Sequence, residues 1–289
     1  MHPNISNFRI MKNVLFTTIS LLFCMISQAQ VNNKRALVEE MPVLEKSTFE
    51  CVYTHIEYDA DLDRDFILEE ILQLGRNYAQ SMRYGTYKSD SVLQLMDKKK
   101  RDALTSTQLN RIQVANRWQG SERILFDLKA QTLNRIECVD ILCRYIEPIP
   151  DFDWEFLPGD KTVLGYKCRK ARCSFRGREW TAWYSTDIKI PYGPFILRGL
   201  PGLILMASDS SGAHTFEAIG IRTTPSDIYY TKKYELAKEV SRKECYRLLK
   251  EHRFEFAKPW WDSYNADPVN NPRPALKHLP YVPYELDCE

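Results

Sequence analysis

Short runs of alternating apolar and polar residues dominate the chain between residues 121 and 222. Turn residues separate these runs, a pattern typical of an antiparallel meander or a half-open barrel. The predicted fold class is therefore mainly β, with one curved, bowl-like antiparallel sheet. Strands are predicted over residues 48–58, 124–126, 133–138, 141–146, 153–156, 162–175, 179–185, 203–208 and 214–222, with a turn at 157–160.

The C-terminal part of the chain has a different pattern. Charged side chains alternate with an apolar stripe through Leu236, Val240 and Leu249, which predicts the best helix of the chain over residues 231–257. Residues 259–289 then contain six prolines, which argue against a helix or a central strand, and five Trp or Tyr residues, which are unusual in disordered segments. We expect an extended tail that lies across the domain.

Two segments are less clearly patterned. Residues 65–87 fit a helix by the spacing of their apolar residues, but residues 74–77 read as a turn between two strands. Residues 97–120 are polar and predict a loop or a short helix.

The first 29 residues resemble a secretory signal peptide. Arg9 and Lys12 precede an apolar run over residues 14–26, which is too short to span a bilayer, and Ser27-Gln28-Ala29 places small residues at the cleavage site. A buried helix and a lipoprotein signal at Cys24 are the weaker alternatives. Export to the periplasm or the extracellular space is expected.

Charge and hydropathy narrow the class of protein. The 40 Lys and Arg residues against 38 Asp and Glu give a net charge of +2, which lacks the footprint of a nucleic-acid-binding protein. No second apolar run approaches 18 residues, so no transmembrane segment is predicted in the mature chain. The predicted organisation is a signal peptide over 1–29, one β domain over 30–258 and the tail over 259–289.

Cysteines offer a disulfide framework, because exported proteins keep disulfides. Antiparallel pairing of two strands in one register would join Cys138 to Cys173 and Cys143 to Cys168, and we favour the Cys143–Cys168 pair. No Cys-x-x-Cys motif is present, so a structural zinc site is not predicted. The seven cysteines that remain after cleavage are Cys51, Cys138, Cys143, Cys168, Cys173, Cys245 and Cys288.

The most informative motif is Arg198-Gly199-Leu200-Pro201-Gly202-Leu203-Ile204. Leu200 to Leu203 fit a type II turn, with Pro201 in its second position and a positive φ at Gly202. Leu203 to Met206 then continue as a buried strand.

The same residues spell GLPGLI, and the chain resembles the GLPGLI family of exported Bacteroidetes proteins. The resemblance extends through residues 165–171, 175–178, 182–188 and 192–194 and covers about residues 45–222. It implies a secreted or periplasmic, β-rich protein of unsettled function. A related bowl-shaped domain is thought to precede the catalytic part of some secreted peptide-N-glycosidases, but the analogy transfers no catalytic residue.

Candidate catalytic groups have simpler explanations. The histidines of the mature chain lack metal-ligand spacing, so neither a metal nor another cofactor is predicted. Residues 208–211 and His214 contain a nucleophile and a base, but they fit a polar hairpin turn better. Asp151, Asp153 and Glu155 could act as acid and base or bind Ca²⁺, but they fit solvated alternation on a strand next to Trp154 better.

A binding surface is the remaining hypothesis. Trp183 and Tyr184 are adjacent on one strand, so one ring should pack in the core and the other should face a ligand. Aromatic rings with Asp and Arg nearby suit glycans or peptides. The predicted function is a non-catalytic envelope protein that binds a ligand or protein partner, accessory to an outer-membrane transport system; the alternative is a secreted hydrolase with a carboxylate or Ser/His site. The predicted ligand-binding residues are Arg178, Trp183, Tyr184, Asp187, Arg198, Gly199, Leu200, Pro201 and Gly202.

Overall fold

A computed structural model describes residues 41–116, 122–139, 141–231, 233–251 and 282–288. The predicted signal peptide and most of the predicted tail lie outside the described residues. Within them, no helix is both long and apolar enough to cross a membrane.

The strands of the described residues are β1 (Val43–Lys46), β2 (Phe49–Asp59), β3 (Arg64–Leu74), β4 (Tyr78–Arg83), β5 (Arg123–Asp127), β6 (Thr132–Val139), β7 (Ile141–Pro148), β8 (Glu155–Val163), β9 (Tyr166–Phe175), β10 (Arg178–Ser185), β11 (Leu203–Asp209), β12 (His214–Arg222), β13 (Asp227–Tyr229) and β14 (Lys238–Glu239). Twelve of them form one large sheet in the order β14-β7-β6-β5-β4-β3-β2-β12-β11-β10-β9-β8, and β1 pairs with β13 in a separate ribbon. Every neighbouring pair in the large sheet is antiparallel except β14 and β7.

The sheet curls strongly without closing. Strands β7 and β9 are nine positions apart in the sheet order, which in a flat sheet would separate them by roughly 40 Å. Yet Arg176, directly after β9, forms a 2.8 Å ion pair with Glu147 of β7. The predicted curved, half-open architecture is confirmed, and the curl brings side chains from distant strands into one interior.

The interior combines an apolar core with charged groups. Fully buried rings such as Tyr53, Trp180 and Phe216 belong to the largest apolar cluster, together with the strand that follows the GLPGLI motif. Arg123, Arg135 and other charged side chains are buried beside them. Buried charges are stable only when they are paired, so their partners define the candidate sites.

The predicted strands occur with one informative error. Residues 74–77 do form a turn, between β3 and β4, so the helical alternative is wrong for residues 65–83, and a helix begins only at Tyr84. Residues 157–160, predicted as a turn, instead lie inside β8 as a bulge, where the register against β9 shifts between Leu157 and Asp160. The chain reverses later, at Leu164 and Gly165, which both have positive φ. Pro158 and Gly159 therefore interrupt an edge strand rather than end it.

The predicted C-terminal helix is interrupted. The polar segment 97–120 contains two short helices, as expected. In the described part of the predicted helix 231–257, which is residues 231 and 233–251, a four-residue helix and the strand β14 precede a longer helix. Residues 252–257 lie outside the described residues. Leu236 is consequently 55% exposed, whereas Leu249 is buried. The helices are α1 (Tyr84–Gln94), α2 (Lys98–Asp102), α3 (Ser106–Ala115), α4 (Lys233–Leu236) and α5 (Arg242–Glu251).

The favoured Cys143–Cys168 pairing is wrong. Strand β7 pairs with β6 and β14, and β9 pairs with β8 and β10, so the two cysteines never face each other. Cys143 and Cys168 are both free and buried. Cys143 instead contacts Cys245 of α5 through a hydrogen bond between the thiols, which together with burial raises the pKa of Cys245.

Candidate functional site

Strand β10 separates two surfaces, as its alternation predicts. Arg178, Trp180 and Tyr184 point into the bowl, and Tyr184 is only 3% exposed. Trp183 points to the outer face, where its ring lies 5.7 Å from the Lys170 ammonium and 5.9 Å from that of Lys161. Trp183 is therefore the ring that faces outward, and Tyr184 is the ring that packs in the core.

The GLPGLI segment forms a bend that Trp154 contacts at one end and Ser185 at the other. The type II turn predicted here is wrong. Gly199, not Gly202, has the positive φ, at 94°. Gly202 is required for another reason: a Cβ there would lie 2.0 Å from the carbonyl oxygen of Ser185. Leu200 is fully buried, and Trp154 Nε1 donates a 2.7 Å hydrogen bond to the Arg198 carbonyl.

An open groove lies between this bend and the bulged strand β8. Its volume is about 450 Å³, and Phe156 on its wall is 62% exposed. Its lining residues, called the edge groove from here on, are Phe156, Leu157, Pro158, Gly159, Asp160, Arg169, Lys170, Tyr184 and Pro201.

The edge groove carries two cations, Arg169 and Lys170, against one carboxylate, Asp160, which lies opposite Arg169 in the pairing of β8 with β9. Within the described part of the chain, neither Arg169 nor Lys170 forms an ion pair, although many other arginines do. Asp160 is the only carboxylate in the lining. The lining residues include no histidine, serine or cysteine.

Of the predicted ligand-binding residues, only Tyr184 and Pro201 line the edge groove. Trp183 lies on the opposite face of β10, and Asp187 is exposed just after the strand. Arg198 stacks on Tyr192, with its guanidinium 5.4 Å from the ring centre. Arg178 belongs to a separate, closed site.

That closed site is a charged cleft inside the bowl, filled by residues 282–288. Arg178 forms a buried 2.7 Å ion pair with Asp209 and also donates to the Pro283 carbonyl. Arg176 binds Glu147 at 2.8 Å and Glu285 at 2.5 Å. The two arginines that flank Gly177 thus hold carboxylates of neighbouring elements and of the tail. Residual cavities of about 20 and 40 Å³ leave room for little more than water.

A chain of hydrogen bonds crosses the charged cleft. His214 Nε2 must donate to the Pro283 carbonyl, 3.1 Å away, because a carbonyl only accepts. Burial lowers the pKa of His214 well below its ordinary value, so the ring is neutral and its Nδ1 accepts from His55 Nε2 at 3.1 Å. Burial likewise lowers the pKa of His55 to about 3, so its Nδ1 is free to accept from Arg83, 2.9 Å away.

Two carboxylates complete this network. Glu70 Oε1 accepts from Arg83 at 3.0 Å and from the Tyr284 hydroxyl at 3.1 Å, and burial raises the pKa of Glu70. Glu57 binds the same arginine at 2.8 Å. The two histidines are therefore held as neutral hydrogen-bonding groups, with one charged arginine shared by acids.

The donor atoms of His55, Glu57 and His214 lie close enough for a metal ion, but their surroundings fit one poorly. The two imidazoles already hydrogen-bond to each other, and the Arg83 guanidinium sits 2.9 Å from the His55 nitrogen that faces Glu57. Glu285, Asp287 and Cys288 form a second such group, but Arg242 holds both carboxylates. A fixed positive charge opposes cation binding at each place.

The predicted Ser/His alternative lacks its geometry. Both ring nitrogens of His214 bond to other groups, and Ser211 Oγ bonds to Asp209 and Arg178 instead. Asp151, Asp153 and Glu155 are exposed, and Glu155 pairs with Arg172.

Sequence reasoning missed most residues of both sites. Pro158 and Gly159 mark the groove in the sequence, but they predict a turn rather than a bulge within a strand. The prediction therefore does not bring Phe156 and Arg169 together at one site. His55 and His214 are 159 positions apart and adjoin only because β2 pairs with β12. Tyr284 lies in a tail whose place in the fold no local pattern indicates.

Comparison with known proteins gives distant structural similarity only. No family model and no curated protein matches the chain. The structures of PNGF-II in the P21 and C2 space groups are 16% and 14% identical, with TM-scores of 0.44 and 0.45. Each comparison covers 72% of this chain but 34% of the PNGF-II chain, so the similar region spans about a third of that protein.

Proposed function

We propose that this protein is a non-catalytic binding protein and that its ligand occupies the edge groove. The observation that supports this most is the combination of an open volume of about 450 Å³, an exposed Phe156 ring and two cations without ion-pair partners among the described residues. Ligand sites combine apolar walls with a few polar groups that fix orientation, and the edge groove has both.

The chemistry of the groove indicates the class of ligand. Arg169 can bind a carboxylate or sulfate through two parallel hydrogen bonds, and Lys170, whose ammonium lies 5.7 Å from the Trp183 ring, adds a second positive charge to the lining. The Phe156 ring offers a flat apolar surface to a sugar or side chain. We therefore propose an acidic glycan or an acidic peptide.

Binding is favoured over hydrolysis because no described site combines a nucleophile with a free base. His214 is buried and fully hydrogen-bonded, and its lowered pKa leaves it a weak proton acceptor. The secreted hydrolase remains the second candidate only through Asp153, an exposed carboxylate close to the groove strand.

We further propose that the protein is an exported GLPGLI-family member that works in the cell envelope. The signal-like residues 1–29 and the motif at residues 198–204 support this assignment. A role beside an outer-membrane transporter fits a protein that presents a ligand without changing it.

Isothermal titration of the mature chain tests the proposal with three probes: sialyllactose, the peptide Leu-Glu-Glu, which lacks the tyrosine that the charged cleft holds, and neutral chitotriose. The acidic probes should bind and chitotriose should bind at least tenfold more weakly. Phe156→Ala and Arg169→Glu should each weaken binding of the acidic probes at least tenfold. Arg76→Glu, an exposed site in the β3–β4 turn, and Ile219→Ala, an exposed apolar site on β12, are the matched controls.

Two results would overturn the proposal. Unchanged affinity in Arg169→Glu would place the ligand elsewhere. Conversion of any probe, detected by mass spectrometry and lost in Asp153→Asn, would establish the hydrolase.

A further inference from the structure

From the contacts of residues 282–287 we infer that the charged cleft is a second binding site, specific for an extended peptide that carries Tyr-Glu-x-Asp, and that the chain's own C-terminal segment occupies it. This site is separate from the edge groove and rests on different residues.

The tyrosine position has an aromatic slot. The Tyr284 ring stacks between Phe195, at 4.2 Å between ring centres, and His214, at 4.5 Å. The interplanar angles are 11° and 10°, so the ring is clamped on both faces. Its hydroxyl reaches Glu70 at 3.1 Å, which distinguishes tyrosine from phenylalanine.

The acidic positions have an arginine cluster. Glu285 is fully buried, and its two oxygens receive Arg176 at 2.5 Å and Arg242 at 2.6 Å. Arg242 also holds Asp287 with two hydrogen bonds of 2.7 and 2.8 Å. Specificity for acidic residues follows, because a neutral side chain would remove the carboxylate that the two guanidinium groups share and leave only Glu147 for Arg176 and Asp287 for Arg242.

The charge around Glu285 matches such a ligand. The arginine cluster comprises Arg135, Arg176 and Arg242, which all lie within 4.0 Å of Glu285, and the carboxylates that the sheet pairs with it are Glu137 and Glu147. Three cations against two anions leave one positive charge at this position, which Glu285 neutralises.

The segment binds as a ligand does rather than as a strand. It pairs with no strand of the sheet, and its only backbone-to-backbone hydrogen bond among the described residues runs from Leu286 to the Arg176 carbonyl. Side chains of the cleft supply the other polar contacts, including bonds from Arg178 and His214 to the Pro283 carbonyl. The fit is close, since a Cβ on Gly177 would lie 2.8 Å from Leu286 Cβ.

The test separates the segment from the domain after folding. A protease site inserted between Asn270 and Asn271 lets the full chain fold before it is cut. We expect the cut segment to stay bound during size exclusion. An excess of the capped peptide Val-Pro-Tyr-Glu-Leu-Asp should then displace it, and fluorescence anisotropy should follow binding of the labelled peptide.

Two control peptides define specificity. The Glu→Lys peptide should bind at least tenfold more weakly, because it brings a cation to the arginine cluster, and the Tyr→Phe peptide should bind several-fold more weakly. A second variant avoids the cut: in full-length Glu285→Arg, the labelled wild-type peptide should bind at least tenfold more tightly than to the uncut wild-type protein.

Several outcomes would overturn the inference. If the cut protein unfolds, or if it loses the segment and binds no peptide, the segment is a structural part of the domain. Equal binding of the Glu→Lys peptide would show that the arginine cluster does not select acids. Exchange of segments between two copies, seen as dimers in size exclusion, would support the inference and identify a second copy as one source of the peptide. Arg169→Glu should change none of these results, so this test and that of the edge groove fail independently.

Discussion

The edge groove and the charged cleft use the same residue types in opposite states. In the cleft, arginines, acids and tyrosine are buried, paired and covered by residues 282–288. In the groove, Arg169 and Lys170 stand beside an exposed Phe156 with no ion-pair partner among the described residues. The charged groups of the cleft are bonded to other protein groups, whereas those of the groove are open to solvent and to a ligand.

Because of this difference, substitutions in the two regions should affect different properties of the protein. Removal of one member of a buried ion pair leaves a desolvated charge, which costs far more than the pair contributes, whereas exposed pairs contribute little. We therefore expect changes in the cleft to act on folding and changes in the groove to act on ligand affinity.

The largest effect is expected from Asp209→Ala. It leaves Arg178 buried without its 2.7 Å partner and should lower the free energy of unfolding by about 3–5 kcal/mol. Urea denaturation measures it. The matched control is Glu155→Ala, which breaks an exposed pair with Arg172 of the same 2.7 Å length and should leave the midpoint unchanged. If the two variants lowered the free energy of unfolding equally, ion pairs in the cleft would contribute no more to stability than exposed pairs.

Acid should destabilise the protein through the cleft histidines. The pKa of His55 falls from 6.5 to about 3 on folding, so the unfolded chain binds a proton that the folded chain refuses. This contribution to stability is complete above pH 6.5 and is lost as the pH falls towards 3, by about 3 kcal/mol between pH 7 and pH 4.

Urea titrations at pH 7, 5.5 and 4 test this dependence. His55→Asn should flatten the decline over this range, since it removes the titrating group. A wild-type slope that is unchanged in His55→Asn would mean that the histidine is not held neutral. Other titratable or charged groups face His55 and contribute to the pH dependence of stability, so the difference between wild type and His55→Asn is the informative quantity. These groups are Glu57, Glu70, Arg83, His214 and Tyr284.

Oxidation should link the sheet to α5. Treatment with diamide should remove two protons and two electrons from the Cys143 and Cys245 thiols and join them, because these thiols already share a hydrogen bond. The expected stabilisation is below about 2 kcal/mol, since native contacts already hold α5 in place. A non-reducing peptide map that joins Cys143 to Cys168 would contradict the strand order.

The smallest effect on stability is expected from Trp183→Ala, about 1 kcal/mol, because the half-buried ring packs only partly against the core and otherwise lies near two lysines. Tyr184→Ala is the control, since it empties a buried position and should cost severalfold more. Similar melting temperatures for the two variants would mean that the faces of β10 are assigned wrongly.

Local sequence patterns predicted what local geometry determines. Alternation placed Trp183 and Tyr184 on opposite faces, and short runs gave most strands. Pro158-Gly159 misled because the same residues suit a turn and a bulge, and only the pairing with β9 distinguishes them. Gly202 was explained by φ, whereas the close approach of Ser185 is what requires it.

Local patterns could not predict most residues of the candidate sites, because these residues come together only when the sheet curls. Arg176 meets Glu147 across nine strand positions, and His55 meets His214 only once β2 and β12 pair. Neither contact has a signal in residue spacing. Tyr284 was recognised as an ordered aromatic residue in an unusual tail, but its slot is assembled from several distant elements.

Hydrogen–deuterium exchange with mass spectrometry tests the central claim most directly: the cleft is filled and the groove is open. Without ligand, the Leu286 amide, which donates to the Arg176 carbonyl in the cleft, should exchange slowly, and residues 157–160, where the pairing of β8 with β9 is interrupted, should exchange fast. Sialyllactose or Leu-Glu-Glu, whichever binds in titration, should slow exchange in residues 155–163 and 198–204 and leave 282–288 unchanged. Fast exchange of the Leu286 amide without ligand, or protection confined to residues 282–288 when the probe is added, would contradict the account.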